Sequence, residues 1–151
     1  MQEPAFGENS PLRRSVGYLL RRNSRMASAL MERQFKDLDI SFPQWLTLML
    51  VREGAIGNGA ELARMLGHNS GAVTRLIDQM EARGLIVRQR CGLDRRVMRL
   101  ALTSAGADAA TALIPRVSNT WCELFQDFTN DEVATLAGLL QRLLAKHCGV
   151  C

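Results

Sequence analysis

Lysine is nearly absent. Of the nineteen basic residues in 151, only Lys36 and Lys146 are lysine, and the rest are arginine. Arginine's planar fork suits phosphate oxygens and guanine edges, although an arginine-rich genome would give the same bias. Nowhere do 18 apolar residues follow one another, which excludes a transmembrane helix and any membrane partner that would need one. The first residues, MQEPAFGENSP, hold neither the basic nor the apolar stretch of an export signal, so a cytoplasmic location is expected. Cysteine is sparse and irregularly spaced, at Cys91, Cys122, Cys148 and Cys151, and suits reduced thiols better than a disulfide framework. Only two histidines occur, His68 and His147, neither with an obvious partner. No nucleophile with a base, no metal set and no phosphate loop can be assembled, the GNG at 57–59 being only a fragment. Neither an enzyme nor a cofactor is expected.

What is present points to a folded chain. An apolar content of 47% argues against disorder. The length fits one domain, or one domain with an assembly arm, and lets roughly 68–70% of the unfolded surface be buried. Net charge is +4, unevenly spread. Residues 61–99 hold eight basic and four acidic side chains, whereas residues 100–151 hold three and five. The middle is basic and the tail acidic.

The helix signals are local and plain. Ser10-Pro11 reads as an N-cap followed by proline in the first turn, opening a helix over residues 12–35 with Val16, Leu20, Ala27, Leu30 and Met31 as its apolar stripe. Ser41-Phe42-Pro43-Gln44 is a capping box, with Ile40 and Trp45 as hydrophobic staple, for a helix over 42–52. A helix over 60–66 stops at Gly67, and another, capped by Asn69 or Ser70, runs to Gly84. So short a glycine-containing link between two helices matches a helix-turn-helix. Two strands with period-two alternation follow, in LIVRQRCGLDRRVMRLALT (85–103). Thr103 then caps a long helix over 104–128, kinked near Pro115. Thr129-Asn130-Asp131-Glu132 is a second capping box, for a helix ending near residue 147.

In the helix after Asn69, the residues Val73, Leu76, Ile77 and Met80 share one side and point inward. Ser70, Gly71, Ala72, Thr74 and Arg75 remain outside at the positive end of the helix. A helix entering a major groove needs that small, donor-rich surface, yet an ordinary capped surface helix can look the same. The hairpin shifts the balance. It carries five arginines against one acid, Asp94, and its tip holds Arg95 and Arg96. Arginines on a strand edge can serve only to block edge pairing, but helix, turn and basic hairpin in this order describe a winged helix. Its recognition helix enters the major groove while the wing reaches phosphates or the minor groove.

The runs LARMLGHNSGAVTRLIDQMEARGLIVR and DRRVMRLALTSAG resemble the multiple-antibiotic-resistance-regulator (MarR) family of bacterial transcription factors. The resemblance extends over residues 12–147. It implies a mainly α fold, α-α-α-α-β-β-α-α, with room for a short extra strand near Ile56. Residues 41–103 would be the winged helix-turn-helix, and residues 11–36 and 104–147 a helical dimerisation region. It implies a homodimeric repressor on a pseudopalindromic operator in double-stranded DNA. It carries DNA contact to Ser70, Gly71, Thr74 and Arg75 in the helix and to Asp94, Arg95 and Arg96 in the wing. Apolar stripes through Leu113, Val117, Trp121, Leu124 and Phe128, and through Val133, Leu136, Leu140, Leu143 and Leu144, agree with a dimer surface.

Two signals could release such a repressor. The resemblance implies a small aromatic anion bound between the dimer arm and the winged helix. Trp45 and Met49 are candidate walls and Arg21, Arg22 or Arg25 the carboxylate partner, unless Trp45 and Met49 are core and the arginines plain surface. The peroxide-sensing branch uses a cysteine in its first helix, and this chain has none before Cys91. Cys91, beside the wing arginines, is the remaining redox candidate. The rival class is a winged helix that binds protein rather than DNA.

Overall fold

The computed structural model describes residues 15–90 and 98–148, which fall into two compact units dividing after Ile114. In the first unit, helix α1 (Val16–Phe35) begins four residues later than the sequence suggests, because extended Ser15 caps it by accepting the Tyr18 N–H at 3.4 Å. The Ser10-Pro11 start lies outside the described residues. Helix α2 (Phe42–Arg52) has its capping box closed in both directions: Ser41 Oγ accepts the Gln44 N–H, and Gln44 Oε1 accepts the Ser41 N–H. Phe35, Phe42 and Trp45 pack ring against ring with centroids 5.5–6.0 Å apart, joining α1 to α2. The Trp45 indole donates to the Ala110 carbonyl at 3.0 Å, so its one polar atom is satisfied within the core.

Helices α3 (Gly59–Leu66) and α4 (Ser70–Ala82) pack on each other. Leu48, Leu62, Val73, Ile77, Met80 and Ile86 form the centre of this unit, all at most 4% exposed. A fully buried leucine such as Leu48 contributes about 1.5–3 kcal/mol over an exposed one. Gly67 and Gly84 end the two helices in the left-handed region, at φ 64° and 67°, where a side chain would be strained.

The hairpin consists of β1 (Ile86–Arg90) and β2 (Met98–Leu102), antiparallel from Ile86 opposite Leu102 to Arg90 opposite Met98. Among the described residues the sheet has these two strands alone. The extra strand near Ile56 is reduced to one hydrogen bond, from the Leu100 N–H to the Gly57 carbonyl at 3.0 Å. Gly57's own N–H is taken by the Glu61 carboxylate and α3 starts at Gly59, so too little extended backbone remains to pair.

Helix α5 (Ser104–Ala112) is capped by Thr103, whose hydroxyl donates to the Gly84 carbonyl and accepts the Gly106 N–H. Gly106 sits so close to the Leu85 carbonyl that any Cβ there would overlap it. The long helix over 104–128 is a correction: it is broken, with α5 ending at Ala112 and α6 (Ile114–Leu124) starting anew. Proline at 115 has no N–H to give the Thr111 carbonyl, and its ring would collide with that carbonyl in a continuous helix. As second residue of α6 it needs no such partner.

The second unit holds the rest of α6 and helix α7 (Asn130–Cys148). Trp121, Phe125 and Phe128 form a ring ladder. The Phe128 N–H closes a tight turn on the Phe125 carbonyl at 2.9 Å, which ends α6 short of residue 128. Thr129 and Glu132 complete the second capping box, and two hydrogen bonds from Thr129, backbone first, hold the Glu132 carboxyl below its usual pKa. Beyond it α7 leaves Leu136, Leu139, Leu140, Leu143 and Leu144 exposed. Among the described residues no helix is long and apolar enough to cross a membrane.

Candidate nucleic-acid interface

The turn between α3 and α4 is built from caps. Asn58 accepts the Ala60 and Glu61 N–H groups at 3.0 Å each and starts α3. Glu61 turns back to accept the Gly57 N–H and the Asn58 side-chain amide, and the first of these chiefly lowers its pKa from the ordinary 4.5. Left-handed Gly67 reverses the chain, and Asn69 accepts the Ala72 N–H at 2.8 Å to start α4. Each cap satisfies donors that a helix end leaves open, so the angle between the helices is set locally.

Helix α4 divides largely as its spacing predicts, although Ala72, expected outside, is half-buried. Val73, Ile77 and Met80 are buried and Leu76 half-buried, while Ser70, Gly71, Thr74 and Arg75 are all exposed. Thr74 Oγ1 donates to the Ser70 carbonyl at 2.9 Å, and Arg75 Nε donates to the Gly71 carbonyl at 3.3 Å. The second bond holds the arginine along the helix and leaves both terminal nitrogens of its guanidinium without a partner among the described residues. Gly71 is not required by the chain itself. A Cβ there would meet only Asn69 Oδ1 at an ordinary 3.6 Å, and its φ is not left-handed. Three small or fork-ended side chains and a bare glycine thus surround the positive end of α4.

Sequence reasoning missed how the wing is held. Arg88 on β1 donates through one terminal nitrogen to Glu81 and through the other to Asp78, both at 2.5 Å, and its backbone N–H donates to Glu81 as well. The bond to Asp78 leads in raising the Arg88 pKa above its already high ordinary value. Two acids in the last turns of α4 would oppose the helix dipole, and Arg88 compensates both while clamping hairpin to helix. Arg83, at the end of α4, ties that helix to the start of α2 instead, reaching Asp39 at 2.6 Å and the Gln44 side chain of the α2 capping box at 3.3 Å. The signal lay in the sequence as acids at 78 and 81 facing a basic strand, but five arginines competed for them.

Nor did the sequence single out Arg90 and Arg99. They lie at the loop end of the two strands, exposed, their side chains with no hydrogen bond or ion pair among the described residues. Asp94, Arg95, Arg96 and Cys91, the expected tip and its thiol, lie outside the described residues.

The candidate ligand residues separate. Tyr18, Arg21, Arg22 and Arg25 line one cleft of about 390 Å³ on α1. Trp45 is not among them; it is 7% exposed and packs on Phe35, ten residues beyond Arg25 and so about 15 Å further along α1. Met49, half-buried on α2, is also absent from that lining. The arginines come together without the two expected walls.

Comparison with known proteins agrees with this geometry. The MarR family model matches residues 38–97. Wild-type MarR from E. coli in its apo form is 30% identical, with a TM-score of 0.72 over 85% of this chain and 96% of that one. A mutant of the same E. coli protein in complex with operator DNA is 28% identical, with a TM-score of 0.74 over 89% and 99%. CouR from Rhodococcus jostii RHA1, bound to p-coumaroyl-CoA, is 25% identical, with a TM-score of 0.77 over 89% and 94%.

Proposed function

Because this chain belongs to the MarR family of winged-helix, DNA-binding transcriptional regulators, we propose that it is a homodimeric repressor that reads a pseudopalindromic operator. One observation carries the reading. Ser70, Gly71, Thr74 and Arg75 offer small surfaces and free donors at the positive end of α4, clamped by Arg88 to a hairpin whose Arg90 and Arg99 have no partner among the described residues. In this reading α4 lies in the major groove, with Arg75 reaching a guanine edge, and the hairpin grips backbone or minor groove through Arg90, Arg99 and the tip residues Asp94, Arg95 and Arg96. The E. coli relative's operator complex supports it.

Residues 41–103 are proposed as the DNA-binding part and residues 11–36 and 104–147 as the dimerisation region. The exposed leucines of α7, together with Val16, Leu19 and Met26 on α1, support a second copy as their cover. Release by a small anionic ligand is proposed at Arg21, Arg22 and Arg25, with an aromatic acid as its simplest form. CouR, bound to an acyl-CoA thioester, supports small-molecule control.

Selection of bound duplexes from a random pool tests the core of this reading. A pseudopalindrome should be enriched, and log K should fall steeply with log salt as condensed counterions are released. No enrichment, with binding indifferent to salt, would point instead to a winged helix that docks on protein.

A further inference from the structure

Residues 13–25, RRSVGYLLRRNSR, hold five arginines and no acid. Within α1 the only carboxylate is Glu32, two turns beyond Arg25, and the α2 sequence FPQWLTLMLVR has none. Arg21 and Arg25, one turn apart, repel each other, as do Arg22 and Arg25. Neither Arg21 nor Arg25 has a hydrogen bond or ion pair among the described residues. Among the described residues the helix therefore carries an uncompensated cluster of like charge around a cleft. A solvated face would serve solubility equally well with mixed charge.

Tyr18 adds direction. Arg22 Nη1 donates to its phenolic oxygen at 3.2 Å, which leaves the phenol O–H free to donate in turn. Among the described residues the cleft thus presents three guanidinium groups, one hydroxyl donor and one aromatic ring, and no side-chain acceptor other than that phenol oxygen. A monocarboxylate fits one guanidinium fork and leaves two charges unanswered. A volume of about 390 Å³ lies within the range of small-molecule sites and exceeds what a lone carboxylate needs.

We propose that Tyr18, Arg21, Arg22 and Arg25 form a site for a small molecule bearing adjoining phosphates, of the diphosphate-ester class, rather than for a simple aromatic acid. The inference rests on the effector reading of this cleft but changes its ligand chemistry. The phosphates would bridge Arg21, Arg22 and Arg25, with the Tyr18 hydroxyl as a fourth donor. DNA phosphates share that chemistry, so the test has to separate a free anion from a duplex.

Calorimetric titration of the full chain without DNA uses inorganic pyrophosphate, ADP and benzoate as probes. Pyrophosphate and ADP should bind at least about tenfold tighter than benzoate, since each further charge-assisted hydrogen bond is worth about that factor. The double variant R21Q/R25Q should lose this binding while melting no lower than the parent, because glutamine keeps the helix and removes repulsion. It should still bind an operator duplex like the parent. Benzoate binding as tightly as pyrophosphate would overturn the diphosphate assignment and leave the aromatic-acid reading standing. Binding of none of the three probes would overturn both. Loss of operator affinity in R21Q/R25Q, with no probe bound by the parent, would assign the cluster to DNA phosphates.

Discussion

Between Ser41 and Gly106 each helix N-terminus has a side-chain cap, and both acids in the last turns of α4 have found Arg88. The helix-turn-helix and hairpin bury most of their own apolar residues, Met65 and Met98 excepted. Helix α7 is the opposite case. Its N-terminus is as well capped as any, yet from Asn130 to Lys146 only Val133 and Gly138 are even half-buried, and Leu144 is 67% exposed. A helix owes most of its stability in water to packing of an apolar face. The winged helix thus supplies its own packing, while the exposed face of α7 has its cover only in the second copy proposed above. Under the proposed function, substitutions on the outer face of the first region should report on DNA binding, and substitutions on the leucines of α7 on assembly.

The largest expected effect comes from breaking the second side of that comparison. L140D/L144D places two charges on the exposed stripe of α7. Sedimentation should move from twice the chain mass to 16.8 kDa, and operator affinity should fall by roughly a hundredfold or more as two-site engagement is lost. A dimer that survives both aspartates would place the interface elsewhere.

A smaller loss is expected from attacking the first region from within. Gly106→Ala forces a methyl group against the Leu85 carbonyl, where α5 begins beside the hairpin. Chemical denaturation should register about 1–3 kcal/mol of lost stability, the usual cost of overpacking. An unchanged midpoint would mean that the close approach at Thr103–Gly106 does not constrain the hairpin base.

Reading and gripping should separate within the interface. Arg75→Ala should cost about 1–3 kcal/mol on the selected operator and relax preference at one base position. Arg99→Ala should weaken operator and scrambled duplex alike and reduce the salt slope by about one for each phosphate left without its arginine. Salt titrations of both variants on both duplexes decide it. Equal loss of Arg75→Ala on both duplexes would reverse the assignment.

How much of this was legible in the sequence depends on the reach of each signal. Caps act over three residues, so Ser41 with Gln44, Thr129 with Glu132, Asn69, Gly67 and Gly84 could be read directly from the chain, and with them the order of elements. Pro115 was visible, but whether it bends or breaks a helix depends on whether a new first turn can form around it, which spacing alone does not say. The sites needed longer reach still. Arg88 meets Asp78 ten residues back, and nothing in the sequence ranks it above Arg90 or Arg99 for that role. Trp45 is a candidate pocket wall only through the family resemblance, which implies a ligand site beside the helix that starts at Phe42. Its indole instead finds the Ala110 carbonyl, 65 positions away, and that contact fixes it in the core.

The smallest effect gives the sharpest test, because its two readouts should move in opposite directions. Gly71 is the second residue of α4, has no left-handed φ, and leaves a Cβ room at 3.6 Å from Asn69 Oδ1. Nothing inside the chain calls for glycine there. Alanine should therefore raise stability by about 0.5–1 kcal/mol, since glycine costs a helix that much in backbone freedom. Operator affinity should nevertheless fall severalfold, because the added methyl stands where a phosphate would approach the open N–H groups of the helix start. Thermal unfolding and duplex titration on the same preparation measure both. A Gly71→Ala protein that is more stable and binds the operator undiminished would remove this end of α4 from the contact and shift the reading to Thr74 and Arg75.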